Sequence, residues 1–234
     1  MGIAVNTLRP GIFIMMKYPE AGKVKVRLAQ SIGEEAASSL YRAFIQDTLA
    51  IVQSLDVPFH IAVQPPESQG KFAEWLGSSY EFFHQEGRNL GERLQNGFET
   101  MFKKGYRQVI ALASDCPDLP IEILQSAVSS FQTHKVVIGP APDGGYYLIG
   151  FSHNLFIPNA FRNMPWSTEA VFQETLSRVE LETDRVHVLP EWQDIDTGSD
   201  LQEFYRKHQS QPSDSLYAMK YLRSHHGLLQ TLFS

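Results

Sequence analysis

The chain has 234 residues, 43% of them hydrophobic, a formal net charge of −6 and one cysteine, Cys116. On a prior of roughly 150 residues per domain, this suits one large domain with its own core. The charge balance argues against a nucleic-acid backbone as partner, and a lone cysteine excludes a disulfide framework or a cysteine-rich zinc site.

Residues 12–16 are an apolar run that predicts the first strand, followed by a polar, glycine-containing loop at 17–25. Residues 34–54 carry Leu40, Phe44 and Ile51 at helical spacing. A second strand at 59–63 ends at Pro65-Pro66, and a short helix at 71–76 leads to a strand at 80–83. Residues 90–104 read as a helix with lysines in its last turn and Gly105 closing it. The run Val109-Ile110-Ala111-Leu112-Ala113 predicts a buried strand, with Asp118 as N-cap of a helix over 121–133. Strands follow at 135–138 and 146–149, then a helix at 167–178, a strand at 185–189 and a helix at 200–209. Gln211-Pro212-Ser213 separates a helical, partly apolar tail at 214–233. Short apolar runs alternating with helical patterns imply an α/β chain of three αβα layers around a mixed, mainly parallel sheet. The expected organisation is one domain over 1–210 and a C-terminal helical tail over 211–234. No apolar stretch approaches the roughly 18 residues that span a membrane, and the N-terminus lacks the pattern of a signal peptide. Asn6 breaks the myristoylation pattern that Gly2 would begin. A cytoplasmic location is expected.

Four loops after predicted strands carry residues unusual for plain connectors. Lys23, Lys25 and Arg27 alternate in a glycine-containing loop and suit an anionic ligand, although a solvated basic turn has the same composition. The spacing is not that of a P-loop. Asp115 stands where a buried parallel strand ends, the edge at which open α/β sheets bind ligands. A carboxylate there calls for a positive partner, and a hard divalent cation would serve; a simple turn cap is the alternative. The third loop, Gly139-Pro140-Ala141-Pro142-Asp143-Gly144-Gly145-Tyr146-Tyr147, fixes an unusual backbone path or a hairpin turn through Asp143-Gly144. In the fourth, Asp194 and Asp196 alternate, so in extended chain they share a face while Ile195 points to the core. One of them with Asp115 would complete a two-carboxylate site for Mg²⁺; capping of the next helix by Asp196-Thr197 is the competing role. The histidines show no metal-ligand spacing, and Cys116 reads as a small buried residue.

In their order and spacing these loops resemble the GT-A, or nucleotide-diphospho-sugar transferase, superfamily, and within it a bacterial glycosyltransferase-like group of unknown function. The blocks are Pro19-x-x-Gly22-Lys23-x-Lys25-x-Arg27-Leu28, Leu90-Gly91-Glu92-Arg93, Ser114-Asp115-Cys116-Pro117-Asp118-Leu119, the Gly139–Tyr147 loop, Trp166-Ser167-Thr168 and Asp194-Ile195-Asp196-Thr197. The resemblance implies a Rossmann-like GT-A fold and a divalent-metal-dependent transferase using Mg²⁺ or Mn²⁺. Lys23, Lys25 and Arg27 would hold phosphates, with Lys25, Arg27 and Asp115 as the catalytic set. Asp115 and Asp196 would bind the metal, Asp194 being the alternative second ligand. Gln85 to Gly91 would line the nucleotide; Asp143, Gly144, Gly145, Tyr146, Trp166, Ser167 and Thr168 would face a small-molecule acceptor. Val26 and Asn89 depart from the group's usual Thr and Asp. The leading expectation is a nucleotide-sugar glycosyltransferase. Alternatives are a nucleotidyltransferase joining a nucleoside triphosphate to a phosphorylated acceptor, and a nucleotide-binding protein without turnover. The apolar tail offers a homodimer contact or a lid unless it packs on its own domain.

Overall fold

Alternate residues of the first apolar run go to opposite cores: Ile12, Ile14 and Met16 pack on one side and Phe13 on the other. That two-sided burial is what a central parallel strand requires. The structure, a computed structural model, describes residues 10–210 and 216–233.

Its strands are β1 (Gly11–Lys17), β2 (Phe59–Gln64), β3 (Phe82–His84), β4 (Gln108–Ala113), β5 (Val136–Pro140), β6 (Tyr146–Ser152) and β7 (Val186–Val188). They form one sheet in the order β3-β2-β1-β4-β6-β5-β7. β1 is parallel to β2 and β4, β5 is parallel to β7, and β6 runs antiparallel between β4 and β5. The helices are α1 (Val26–Ile32), α2 (Glu34–Ser54), α3 (Gln69–Leu76), α4 (Leu90–Lys103), α5 (Ile121–Ser130), α6 (Val171–Glu180), α7 (Gly198–His208), α8 (Tyr217–Ser224) and α9 (His226–Phe233). Leu40 and Phe44 of α2, Leu124 of α5, Phe204 of α7 and Leu222 of α8 fill one core; Phe98 of α4, Val179 of α6 and Phe161 from the segment between β6 and α6 fill the other. The expected three-layer, mainly parallel α/β fold is therefore present. Successive crossovers lead from β1 outward to β2 and β3 and back to β4, which opens a crevice beyond the C-terminal ends of β1 and β4. No helix among the described residues is long and apolar enough to cross a membrane.

Several local expectations are corrected. Asp118 does not cap α5, which begins behind Pro120 without a side-chain cap and ends at Ser130. Asp118 is instead drawn inward, accepting from Trp192 Nε1 at 3.0 Å, Lys207 Nζ at 2.7 Å and His208 Nε2 at 2.8 Å. Burial would raise its carboxyl, but Lys207, His208 and Trp192 outweigh that and hold it below the usual range. Ser167 lies in left-handed backbone at φ 66, so the helix expected from 167 starts at Val171. Helix α1 is an addition; its seven residues carry a single buried side chain, Leu28. The expectations at Gly2, Asn6 and Gln211–Ser213 and the first residues of the tail lie outside the described residues.

The tail helices fold back on their own domain. Asp47 of α2 accepts from the backbone N–H groups of Tyr217 at 2.7 Å and Ala218 at 2.9 Å, capping α8 from another element. Leu222 and Leu232 are buried, whereas Tyr217 and Phe233 stay exposed. Asp47→Ala is expected to lower unfolding stability by roughly 1–2 kcal/mol and to speed amide deuterium uptake in α8. Unchanged exchange in α8 would contradict this anchoring role.

Candidate active site

Two loops meet beyond the sheet because their main chains are bonded: Ile195 N–H donates to Asp115 C=O at 3.1 Å. Ile195 is buried in the core, so Asp194 and Asp196 on either side turn toward the crevice. Thr197 caps α7 in a reciprocal box with Asp200, whose carboxylate also accepts from Asp196 N–H at 3.0 Å. The cap thus uses Thr197 and leaves the Asp196 carboxylate for the site.

Lys25 reaches both acidic loops. Its ammonium lies 2.6 Å from Asp196 Oδ1 and 3.0 Å from Asp115 Oδ1, with only 5% of the side chain exposed. Its backbone, at φ 47 and ψ 45, is in the left-handed region that costs an L-residue energy and that neighbouring contacts must enforce. Burial alone would lower the Lys25 ammonium, but Asp115 and Asp196 together reverse that and raise it. Burial likewise would raise Asp196, and Lys25 holds it below the ordinary carboxylate value. Asp194 lacks such a partner: burial, then Asp196 and Asp143, push it up to about 7. Tyr41 closes the floor. Its hydroxyl donates to Ser114 Oγ at 2.9 Å, since Ser114 donates to Met15 O at 3.0 Å, and burial with Asp115 nearby pushes it up to about 12.

The crevice has two adjoining cavities that share Lys17, Tyr41, Asp115 and Ser167. One, of about 600 Å³, is basic and includes Lys23, Lys25 and Arg27 with Asp196. The other, of about 380 Å³, includes Gln85, Asp143, Gly145, Tyr146, Trp166, Thr168 and Asp194. Lys23 and Arg27 are exposed, and Lys23 also pairs with Glu20 at 2.8 Å. Gln85 spends its amide nitrogen on the backbone carbonyls of Met16 and Ala62. Gly91 lies behind the wall, where a side chain would collide with Phe161 O, and Gly144 packs against the Glu169 backbone at φ 85. Asp143 Oδ1 accepts from Gly145 N–H at 2.8 Å in the β5–β6 hairpin turn, so this loop is both hairpin and cavity wall. Asn89 caps α4 by accepting from Glu92 N–H at 2.9 Å, a duty Asn performs as well as Asp. Cys116 is buried, as expected.

Sequence reasoning assigned no role to Tyr41, Ser114, Lys17 or Arg93. Tyr41 sits on the apolar stripe of α2 and reads as core; Arg93 belongs to the Leu90-Gly91-Glu92-Arg93 run, whose residue types point to no particular chemistry. Among the described residues no three His, Cys, Asp or Glu side chains come together as a metal cage.

The family described as an uncharacterized protein conserved in bacteria (DUF2064) matches residues 48–168. A crystal structure from Desulfovibrio desulfuricans G20, provisionally named a nucleotide-diphospho-sugar transferase, is 37% identical with a TM-score of 0.90, over 95% of this chain and 97% of that one. A cytidylyltransferase from Leptospira borgpetersenii serovar Hardjo-bovis aligns with a TM-score of 0.58 and 12% identity over 96% of each chain. CMP:2-keto-3-deoxy-manno-octonic acid synthetase in complex with CTP aligns at 0.55 and 12%, over 87% of this chain and 100% of that one. At these identities the last two share the fold alone. No curated protein matches the sequence.

Lys25→Met would leave Asp115 and Asp196 facing each other without a counter-charge. Because both carboxylates are partly exposed, the expected loss is roughly 1–3 kcal/mol, below that of a fully buried pair. The sign follows from Asp196: its folded value is depressed, so its contribution is present above about pH 4 and is lost as pH falls through the folded value. Unfolding curves of wild type and variant should diverge at neutral pH and converge in acid. A gap that widens in acid would contradict the ion bridge.

Proposed function

The chain belongs to the DUF2064 family of uncharacterized proteins conserved in bacteria, and we propose that it is a divalent-metal-dependent transferase whose donor is a nucleotide sugar. One observation carries this reading: two carboxylates from separate loops converge on a single cationic position at the edge of a cavity lined by Lys17, Lys23, Lys25 and Arg27. The 37% identity to a protein provisionally named a nucleotide-diphospho-sugar transferase supports the choice of donor.

The acidic side chains suit a hard divalent cation. Asp115 and Asp196 set two carboxylates against the single ammonium of Lys25, with Asp194 beside them on the adjoining cavity. Mg²⁺ commonly takes two protein carboxylates and completes its shell with water and phosphate oxygens. Asp115 and Asp196 would hold it, with Asp194 as the alternative second ligand. When bound, Mg²⁺ or Mn²⁺ supplies charge stabilisation to the departing diphosphate.

The chain's own residues do the rest. Lys23 and Lys25 place ammonium groups on the phosphates, and Arg27 adds a planar, bidentate fork. The acceptor oxygen forms a bond to the donor sugar carbon, and the carbon–oxygen bond to the diphosphate breaks with its electron pair. The acceptor proton passes to a carboxylate of the acidic cavity. Lys25 and Arg27 would lower the barrier by meeting the charge that develops on the leaving group. Gln85 belongs to the nucleotide side, with Gly91 as packing behind it. Asp143, Gly144, Gly145, Tyr146, Trp166, Ser167 and Thr168 belong to the acceptor loops. A nucleotidyltransferase using a nucleoside triphosphate is the second reading, favoured by the number of cations in the basic cavity.

Thermal-shift titration with Mg²⁺ or Mn²⁺ separates these readings. Nucleoside diphosphates and diphospho-sugars should stabilise the wild type only with metal present. Asp115→Asn and Asp196→Asn should stay folded by circular dichroism, lose that response and drop turnover by roughly a hundredfold or more. Stabilisation by triphosphates but never by diphospho-sugars would select the second reading. An undiminished metal response in both variants would contradict the assigned site.

A further inference from the structure

The two cavities divide their charge unequally. The basic one sets Lys17, Lys23, Lys25 and Arg27 against Asp115 and Asp196. The other sets Asp115, Asp143 and Asp194 against Lys17 and Arg93. Lys17 stands at the boundary, since it lines both. Arg93 is committed toward β2: its Nη1 donates to Gln64 Oε1 at 2.9 Å and its Nε to Gly87 O at 3.1 Å.

Asp143 and Asp194 line the same cavity, and they carry unspent hydrogen-bonding capacity. Asp143 gives Oδ1 to Gly145 N–H, but its Oδ2 and the whole Asp194 carboxylate accept no hydrogen bond from the described residues. Trp166 and Tyr146 pack edge to face beside them, with ring centroids 6.4 Å apart. Carboxylate oxygens need donors, and an aromatic wall needs an apolar face to cover it. Vicinal hydroxyl groups on a carbon ring or chain supply both, the O–H groups to the carboxylates and the C–H face to the indole.

We infer that the acceptor is an uncharged, hydroxyl-rich molecule of the sugar or polyol class, and not a phosphate ester. The inference rests on the transferase reading above and concerns the second substrate of the same site. A phosphate ester at this end would bring its charge against the Asp143 carboxylate, and like charges set together at a recognition surface exclude the wrong partner. The basic cavity that could accept a phosphate is the one the donor's own diphosphate would fill. The charge division therefore separates a glycosyl transfer to a free hydroxyl from a nucleotidyl transfer to a phosphorylated acceptor.

The test uses the full chain with Mg²⁺ and each common nucleoside diphosphate in turn, binding of the nucleotide being measured first by calorimetry. Saturation-transfer NMR then compares glucose and glycerol with glucose 6-phosphate and glycerol 3-phosphate on the nucleotide-loaded protein. The free polyols should bind at least roughly tenfold more tightly than their phosphate esters. Asp143→Asn keeps an oxygen for Gly145 N–H but replaces a charged acceptor by an amide, and should narrow that ratio several-fold. Esters that bind as well as the free polyols, or no response from either polyol, would overturn the inference while bound nucleotide leaves the transferase reading standing. Failure of every nucleoside diphosphate to bind with Mg²⁺ would overturn the nucleotide-sugar reading and this inference with it.

Discussion

A buried ammonium held between two carboxylates is the interaction on which the crevice depends. Taking Lys25 out of water is unfavourable, and one partly exposed carboxylate would offset little of that cost. Asp115 and Asp196 together overcome it and keep the lysine charged. To reach them the chain accepts a left-handed residue at the start of α1, so the first loop is fixed in place by the same contact. Strain and charge are thus concentrated where the three loops meet, while the sheet below them is made of well-packed apolar side chains.

The fold supplies the convergence. The loops after β1 and β4 lie side by side because those strands are neighbours, and the Ile195–Asp115 backbone bond brings the 194–197 segment to them. Burying Ile195 leaves its acidic neighbours no direction but the crevice. Loops from one edge of the sheet give the basic chamber, and the β5–β6 hairpin with the 166–168 segment walls the acidic one. Position in the topology therefore decides which charges line which cavity.

The strands and the long helix were legible in the sequence because burial on both faces leaves continuous apolar runs, and because α2 keeps a helical stripe from Glu34 to Ser54. Asp115 could be read as a site residue from its place after such a run, and Asp194 and Asp196 from their alternation about Ile195. What could not be read was contact between remote segments. Nothing near Lys25 in the chain signals that its ammonium would be enclosed by Asp115 and Asp196, and nothing near Asp118 signals Lys207 and His208. Local propensity misplaced the start of α6 because Ser167 adopts a backbone region that Ser seldom visits. The tail's apolar residues gave no hint of their partner, since the anchor is Asp47 on α2.

The most direct measurement is a crystal of the full chain grown with Mn²⁺ and a nucleoside diphosphate, the metal being located by its anomalous scattering. The account predicts manganese bound by Asp115 with Asp196 or Asp194, and the Lys25 ammonium turned onto a phosphate oxygen. Manganese and nucleotide bound away from the crevice, with Lys25 still clamped between the two carboxylates, would contradict it.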